Sequence, residues 1–124
     1  MRIVIDLQGA QTESRFRGIG RYSIAIARGI IRNNSRHEIF IALSAMLDES
    51  IADIKAQFAD LLPAENIVVW HAVGPVRAMD QGNEWRRESA ELIREAFLES
   101  LCPDVVFITS LFEGHVDDAA TSVH

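Results

Sequence analysis

Two glycines one residue apart, Gly18 and Gly20, open a segment whose apolar residues recur at helical spacing. Glycine lets backbone N–H groups approach an anion closely, and the N-terminus of a helix adds partial positive charge. Arg21 follows this pair, and Arg15 and Arg17 precede it, so the segment is locally basic. The pattern favours a phosphate-binding loop. A flexible strand-to-helix turn with solvated arginines is the alternative, and spacing alone leaves both open.

Two nucleotide-binding motifs fail on residues that they require. A dinucleotide fingerprint needs a third glycine where Ser23 stands, a tight turn after the first strand, and an acid closing the second strand. Ten residues, 8–17, separate the first strand from its helix instead, and the second strand ends at Leu43 and Ser44. The phosphate-binding loop that ends in Gly-Lys-Ser/Thr does not occur in this sequence. Nicotinamide dehydrogenases and P-loop enzymes are thereby excluded.

Asp6 ends the first predicted strand, where some folds carry a catalytic acid. A receiver domain needs another acid after its third strand, but that strand ends at Trp70 and His71. A phosphatase with two aspartates one residue apart needs a second aspartate where Gln8 stands. We therefore expect Asp6 to cap or hydrogen-bond the backbone of the loop that follows.

Four ionisable side chains cluster in residues 113–118: Glu113, His115, Asp117 and Asp118. No two potential ligands have the helical spacing typical of a metal site, so we expect no metal. A polar loop facing an acceptor substrate and an ordinary solvated loop both remain open.

The elements that must position these residues follow from the hydrophobic pattern. Near-continuous runs of Ile, Val, Leu and Phe predict buried strands at residues 2–7, 38–43, 67–71 and 105–109. Amphipathic segments lie between them, as in β-α-β units. The expected fold is an α/β, Rossmann-like, three-layer domain with a parallel sheet. In such sheets ligands bind beyond the carboxyl ends of the strands, where the long loops lie.

Three helices are predicted from stripes of apolar residues. In the second, Asp48 is the expected N-cap and Pro63 the stop; in the third, Asn83 is the expected N-cap and Pro103 lies beyond the end. The stripes are Ile19, Tyr22, Ile26, Ala27, Ile30 and Ile31; then Ile51, Ile54, Phe58, Leu61 and Leu62; then Trp85, Leu92, Ile93, Ala96 and Phe97.

Two further expectations concern the third helix. Its glutamates (Glu84, Glu88, Glu91, Glu95 and Glu99) form a solvated face in this interpretation, with Glu91 paired to Arg87 and Arg94. Trp85, beside Arg86, could touch a membrane surface, but packing in the core is the preferred interpretation. The lone Cys102, beyond the end of this helix, is expected to be a packed thiol.

Composition limits the class of protein. The 124 residues are 48% hydrophobic and 24% charged with a net charge of −6, so we expect one folded domain and no nucleic-acid partner. Eleven of the twelve cationic residues are arginines, which suits phosphate but also fits a compositional bias. A single cysteine, no long apolar run and no signal peptide predict a cytoplasmic protein.

Residues 119–124 read as the start of a fifth strand with no turn or cap after it. We expect the chain to be part of something longer.

Several segments in order resemble family 4 glycosyltransferases, most closely bacterial mannosyl- and rhamnosyltransferases that build O-antigen and related polysaccharides. The resemblance covers most of the chain and lies in residues 1–7, 17–22, 104–107, 110–114 and 121–124. Many members have Gly-Gly where this chain has Arg17-Gly18, which leaves the loop geometry less defined.

The resemblance implies the N-terminal, acceptor-side half (residues 1–124) of a two-domain GT-B fold whose C-terminal, donor-binding half lies outside this chain. It implies retaining transfer from a nucleotide-sugar, with GDP-mannose as a candidate donor, and no bound metal. Gly18, Gly20 and Arg21 would bind the donor phosphates and sugar. Tyr22, Glu113 and His115 would face the acceptor, and His124 would lie against the transferred sugar as the catalytic residue: the expected site is thus His124, Gly18, Gly20, Arg21, Tyr22, Glu113 and His115.

The implied function is sugar transfer to a glycan or lipid-linked acceptor in bacterial surface polysaccharide synthesis, in the cytoplasm, with peripheral contact to the inner face of the membrane. This fragment alone is expected to be inactive. The alternative is a stand-alone flavodoxin-like or Rossmann-like module that binds a nucleotide or a protein without catalysis.

Overall fold

The computed structural model describes residues 1–12, 16–34, 36–110, 114 and 117–121. Within them, strands and helices alternate along the chain. The elements are β1 (Arg2–Asp6), α1 (Gly18–Asn33), β2 (Glu38–Ser44), α2 (Ile51–Phe58), β3 (Ile67–Trp70), α3 (Glu84–Ser100) and β4 (Val105–Ile108), with short 3₁₀ turns at Gln8–Ala10, Ala45–Ser50 and Ala64–Asn66.

The four strands form one parallel sheet in the order β3-β2-β1-β4. The chain moves outward from β1 to β2 and β3, then returns to the other side of β1 to form β4. The order therefore reverses at β1, and the crevice between the carboxyl ends of β1 and β4 is where open α/β sheets bind ligands. In register, Asp6 lies beside Ala42 of β2 and Ile108 of β4.

Helices lie on both faces of the sheet and cover β1 on both sides. The edge strand β4 is not the buried strand that its apolar run predicts, because Val105 and Val106 are exposed. Ile3 and Ile5 of β1 pack in one cluster with α1 and with Ile54 and Phe58 of α2. Val4, between them, points to the opposite face and packs with Leu98 of α3. The predicted α/β, Rossmann-like, three-layer parallel sheet is confirmed.

Two predictions at α2 need correction. Asp48 is not its N-cap: it is exposed in the 3₁₀ turn before the helix. Ser50 occupies the cap position, but its hydroxyl donates to the Leu47 carbonyl at 2.7 Å and does not cap the helix. The helix also ends at Phe58 rather than near Pro63, because the Leu61 and Leu62 N–H groups both donate to the Phe58 carbonyl at 3.0 Å and form a turn.

The predicted core face of α3 is wrong except at Phe97, which is partly buried and packs against two core clusters. Trp85 is 82% exposed, and Leu92 and Ile93 are exposed as well. The side that packs on the sheet carries Ala90, Glu91, Arg94 and Leu98 instead, at i, i+1, i+4 and i+8. Periodicity located the helix, but the apolar residues did not mark its buried face because two buried positions hold charged residues with charged partners.

Two smaller predictions at the ends of elements also differ. Cys102 is exposed, not packed, and has a φ of 52°, the left-handed conformation that often ends a helix. Ala119–Thr121 lie outside any strand, so the described part of the predicted fifth strand is not one. Residues 122–124 lie outside the described residues.

Candidate functional site

An ion pair lies at the carboxyl end of β1, beneath the crevice. Both the Nε and Nη2 atoms of Arg94 lie 2.6 Å from Oδ2 of Asp6, and each side chain is 1% exposed. The prediction that Asp6 bonds the following loop is confirmed, since Oδ1 accepts from the Gln8 N–H at 3.2 Å. The partner from α3, 88 positions away, was not foreseen. An ion pair buried this deeply ties α3 to β1.

Gln8 joins the loop after β1 to the segment after β4. Its Oε1 accepts from the Ala120 N–H at 2.9 Å, and its Nε2 donates to the Ala120 carbonyl at 2.9 Å. The same Nε2 lies 3.3 Å from both carboxylate oxygens of Asp6. The Gln8 side chain thus satisfies both backbone hydrogen-bonding groups of Ala120. Residues 119–121 do not extend the sheet. Gln8, which stands where a phosphatase would need its second aspartate, is a fully buried structural residue.

The side chain of Gln11 likewise hydrogen-bonds both backbone groups of one residue, here Ser44 at the end of β2. Its Oε1 accepts from the Ser44 N–H at 2.8 Å, and its Nε2 donates to the carbonyls of Ser44 at 3.0 Å and Leu47 at 3.3 Å. Two glutamine side chains therefore fasten the first loop to the segments on either side of β1. No sequence motif signals this pairing, because each partner is a backbone peptide.

Gly9 lies between the two glutamines, where three segments meet. A Cβ at Gly9 would lie 3.0 Å from Cβ of Ser110, 3.1 Å from Oγ of Ser23 and 3.2 Å from Oγ1 of Thr109. The start of α1 and the end of β4 thus approach the loop after β1 at this glycine. Sequence reasoning singled out Gly18 and passed over Gly9, whose close packing appears only in three dimensions.

The residues predicted to bind donor phosphates lie together at the start of α1. Gly18, Arg21 and Tyr22 are exposed, whereas Gly20 is buried. Arg17 occupies the N-cap position without a side-chain hydrogen bond, and the first turn contains no acidic residue. The first N–H groups of a helix lack intrahelical partners. This helix end therefore offers backbone donors and two exposed arginines to an anion.

A groove of about 530 Å³ runs beside this helix end, between α1 and α2. Arg21, Arg28 and Arg32 line it along α1. Arg28 is engaged: it forms a bidentate pair with Asp60 at 2.9 and 3.0 Å. The hydrogen bond from Arg28 lowers the pKa of Asp60 below its ordinary value, and the same bond raises the pKa of Arg28. The charge of Arg28 is thus balanced by Asp60. Arg21 has no such acidic partner among the residues described.

A second groove, of about 370 Å³, opens at the carboxyl end of the sheet, and we call it the carboxylate groove. Four acids and one arginine give it its charge, and Phe16 is shared between it and the groove beside α1. Carboxylates accept hydrogen bonds from hydroxyl groups and repel phosphates, so this groove suits a neutral polyol rather than a nucleotide. Its lining residues are Gln11, Thr12, Phe16, Met46, Leu47, Asp48, Glu49, Arg77, Asp117 and Asp118.

Gly114 fixes the position of the segment after β4. Its carbonyl accepts from the Ala78 N–H and from Nη1 of Arg87, both at 2.9 Å. Its φ is 102°, and a Cβ there would lie 2.5 Å from the Ala119 carbonyl oxygen. Asp118 adds a further tie, because its Oδ1 accepts from the Val76 N–H at 2.8 Å. Only glycine fits this point, so the segment is anchored to the 72–82 connection and to α3.

Three predicted site residues, Glu113, His115 and His124, lie outside the described residues. The structure brings Gly18, Gly20, Arg21 and Tyr22 together at the start of α1, a few residues from the shared Phe16. Sequence reasoning missed the Arg94 partner of Asp6 and the contribution of Asp48 and Glu49 to the carboxylate groove, whereas it singled out Asp117 and Asp118 in the 113–118 cluster. The available signal was that Arg94 lies at helical spacing between the apolar residues Ala90 and Leu98. Arg94 was instead interpreted as a surface partner of Glu91. Arg87 does pair with Glu91, at 3.3 Å.

Among the described residues, no group of three or more histidine, cysteine, aspartate or glutamate side chains could hold a metal ion. Across that same part of the chain, no helix is both long and apolar enough to cross a lipid bilayer.

The sheet order, the two helical layers and the ligand crevice at β1 and β4 define a Rossmann-like α/β domain. Comparison with known proteins narrows this class. The chain is 37% identical over 124 residues, 99% of its length, to a serotype-specific mannosyltransferase WbdA of Escherichia coli. Two further Escherichia coli mannosyltransferases of that name are 32% and 31% identical over 99 residues.

The chain spans only 15% of the length of the first of these relatives and 12% of the other two. No family model matches the sequence, and no solved structure matches it. The resemblance to bacterial polysaccharide mannosyltransferases is nevertheless confirmed: the chain is similar along nearly its whole length to one part of a mannosyltransferase.

Proposed function

We propose that residues 1–124 are the N-terminal, acceptor-side domain of a retaining glycosyltransferase with a GT-B fold. The whole enzyme would transfer a sugar from a nucleotide-sugar to a glycan or lipid-linked acceptor in the synthesis of a bacterial surface polysaccharide. The observation that carries the proposal is the 37% identity with a mannosyltransferase over 99% of the chain. The relative's name, mannosyltransferase, supports mannose as the sugar, and GDP-mannose is the donor in this proposal.

The geometry supports a division of labour within this domain. Gly18, Gly20 and Arg21 lie at the uncapped start of α1, where backbone N–H groups and an exposed guanidinium suit the negative charge of a departing nucleoside diphosphate. Such donors stabilise that charge without a metal. In this proposal the second domain of the same polypeptide holds the rest of the donor.

The acceptor would lie in the carboxylate groove. Asp48, Glu49, Asp117 and Asp118 line it and supply acceptors for sugar hydroxyls, and their negative potential keeps donor phosphates out. Exposed Tyr22, one turn into α1, would extend this surface. By resemblance, Glu113 and His115 would also face the acceptor, and His124 would be the catalytic residue beside the transferred sugar.

The exposed start of α1 also supports peripheral contact with the cytoplasmic face of a membrane. Phe16 is 70% exposed, and residues 16–33 contain four arginines and no acid in a protein of net charge −6. Basic residues beside exposed aromatics favour anionic lipid surfaces. A lipid-linked acceptor would be reached from such a surface.

The proposal is tested with the natural polypeptide that contains this chain. It is incubated with GDP-mannose and, separately, with UDP- and dTDP-linked sugars, and products on a mannoside acceptor are identified by mass spectrometry and anomeric NMR. We expect transfer from GDP-mannose with retention of configuration and none by residues 1–124 alone. Binding of a nucleotide without transfer to any acceptor would favour the stand-alone binding module instead.

A further inference from the structure

The most exposed large apolar residue among those described is Trp85, with 82% of its surface accessible to solvent. It lies in the first turn of α3, which begins on the side of the sheet where the strands have their carboxyl ends. Val73, 74% exposed, lies beside it across a shallow groove. We call this the indole groove; its lining residues are Val73, Trp85, Arg86, Ser89 and Ile93.

The polar edge of the indole groove is held in place. Nε of Arg86 donates to the Pro75 carbonyl at 3.0 Å, and Nη2 donates to Oδ1 of Asn83. Asn83 is itself buried at the start of α3. The guanidinium is therefore fixed in the lining of the groove that Trp85 also lines. Within the described part of the chain its Nη1 has no bonded acceptor. A preorganised donor next to an exposed aromatic face lowers the entropy lost when a ligand binds.

Charge and size limit what the groove can bind. Glu84 and Glu88 are exposed on the same turns as Arg86, so the surface carries no excess positive charge for phosphates or anionic lipid. Its volume of about 240 Å³ falls below the roughly 300–1,000 Å³ of pockets for drug-sized ligands. A protein partner buries about 800 Å² on each side, far more than five residues around one indole provide. The groove fits one neutral ring with polar substituents.

A pyranose has that chemistry, because its C–H face is apolar and its rim carries hydroxyl groups. An indole offers an apolar face with a polar N–H at its edge, and Arg86 and Ser89 offer hydrogen bonds to the rim. We propose that the indole groove is a distal subsite that binds one sugar unit of the acceptor glycan, remote from the unit that receives the new sugar. This inference rests on the proposed function, since it takes the acceptor to be a glycan.

The position of the groove supports a continuous path for such a chain. Arg87, two residues after Trp85, donates to the carbonyls of Val76 at 3.0 Å and Gly114 at 2.9 Å. The connection that contributes Val73 to the indole groove contributes Arg77 to the carboxylate groove. One connection thus borders both grooves, and a glycan leaving the carboxylate groove would reach Trp85 along it.

The test uses the natural polypeptide with Trp85→Ala, Trp85→Phe and, as a matched control, Met79→Ala, a large exposed residue on the same connection outside both grooves. Initial rates are measured on a single mannoside and on a long manno-oligosaccharide. We expect Trp85→Ala to raise KM for the long acceptor about five- to tenfold, with kcat and the KM of the single mannoside unchanged. Trp85→Phe should keep part of the affinity, and Met79→Ala all of it. Equal effects on both acceptors, or none on the long one, would overturn the subsite.

Isothermal titration of the long manno-oligosaccharide separates this inference from the proposed function, because it requires no turnover. Weaker binding in Trp85→Ala supports the subsite even if no donor is ever used, in which case the proposed function alone fails. Unchanged oligosaccharide binding removes the subsite even if transfer is demonstrated. Loss of binding to anionic phospholipid vesicles, or of self-association in light scattering, with unchanged oligosaccharide binding would assign the groove to a membrane or a second copy and overturn the inference.

Discussion

Arg94 of α3 places its Nε and Nη2 atoms 2.6 Å from Oδ2 of Asp6 at the end of β1, and both side chains are 1% exposed. The pair sits below the crevice at the carboxyl ends of β1 and β4, and the Gln8 amide hydrogen-bonds the same carboxylate. Two charges removed from water at this depth are stable only together. The floor of the candidate site is therefore built from groups that also hold the helix to the sheet.

Removing one member of this pair should destabilise the fold strongly. Arg94→Met leaves the Asp6 carboxylate buried without its cation, and we expect a loss of about 3–5 kcal/mol in the free energy of unfolding, measured by urea denaturation. Arg77→Met, which breaks an exposed pair with Asp80, is the control and should cost less than about 1 kcal/mol. The double variant Asp6→Asn with Arg94→Met should recover part of the loss, and strictly additive losses would contradict the coupling.

The two glutamines of the first loop should differ in their tolerance of a negative charge. Gln8→Glu replaces an amide that lies 3.3 Å from both oxygens of Asp6, so it adds charge repulsion to the lost hydrogen bond. Gln11→Glu loses its bonds to the Ser44 and Leu47 carbonyls, and the hydrogen-bond partners of the Gln11 side chain are backbone groups rather than an acid. We expect each to cost at least about 1–3 kcal/mol of unfolding free energy, with the larger loss for Gln8→Glu. Equal losses would contradict charge repulsion between Asp6 and a glutamate at position 8.

Gly114 and Gly82 allow a steric effect to be separated from a backbone effect. Both have positive φ, 102° and 80°. A Cβ at Gly82 meets no atom of the described residues within 4 Å, whereas one at Gly114 would lie 2.5 Å from the Ala119 oxygen. Gly82→Ala should cost about 1–2 kcal/mol, the ordinary penalty of a left-handed residue. Gly114→Ala should cost clearly more, and thermal melting of the two variants side by side checks the order. Similar melting temperatures would refute the close approach of the Ala119 carbonyl to Gly114.

Cys102 ends α3 at a position that favours glycine. Its N–H donates to the Glu99 carbonyl at 2.9 Å, and its φ is 52°. Pro103 follows and has no N–H, so the second bond of the usual glycine-type helix end cannot form. We expect Cys102→Gly to raise the free energy of unfolding by up to about 1 kcal/mol and Cys102→Ala to change it little, as measured by urea denaturation. A loss of stability in Cys102→Gly would show that the Cys102 side chain stabilises the fold by more than its left-handed backbone conformation destabilises it.

Gly18 and Gly29 form a matched pair for the proposed donor site. Both lie in α1, and a Cβ at either meets no atom within 4 Å among the described residues outside the adjoining helix backbone. Leucine at either position should leave the fold intact or stabilise it slightly, because glycine is a poor helix former. In the natural polypeptide, Gly18→Leu should abolish sugar transfer by filling the phosphate approach, whereas Gly29→Leu should retain it. Undiminished initial rates in Gly18→Leu would remove Gly18 from the site.

The sequence by itself determined the alternation of strands and helices, with accurate ends for the four strands but not for α2. Residues 2–6, 38–44, 67–70 and 105–108 form the four expected strands, because runs of Ile, Val and Phe are typical of strands in a parallel sheet. The order of motifs also carried the resemblance to mannosyltransferases, since similarity of this kind is a property of the chain alone.

Tertiary structure decided which side of α3 is buried and what forms the floor of the crevice. Trp85 is exposed and Arg94 buried, the reverse of what polarity predicts, because Asp6 supplies a carboxylate from a strand that is 88 positions away in sequence. Gln8 and Gln11 are invisible to pattern reasoning for the same reason: their partners are the peptide groups of Ala120 and Ser44. Local sequence sets the period of an element, whereas the cost of burying a polar group depends on whether folding brings it a partner.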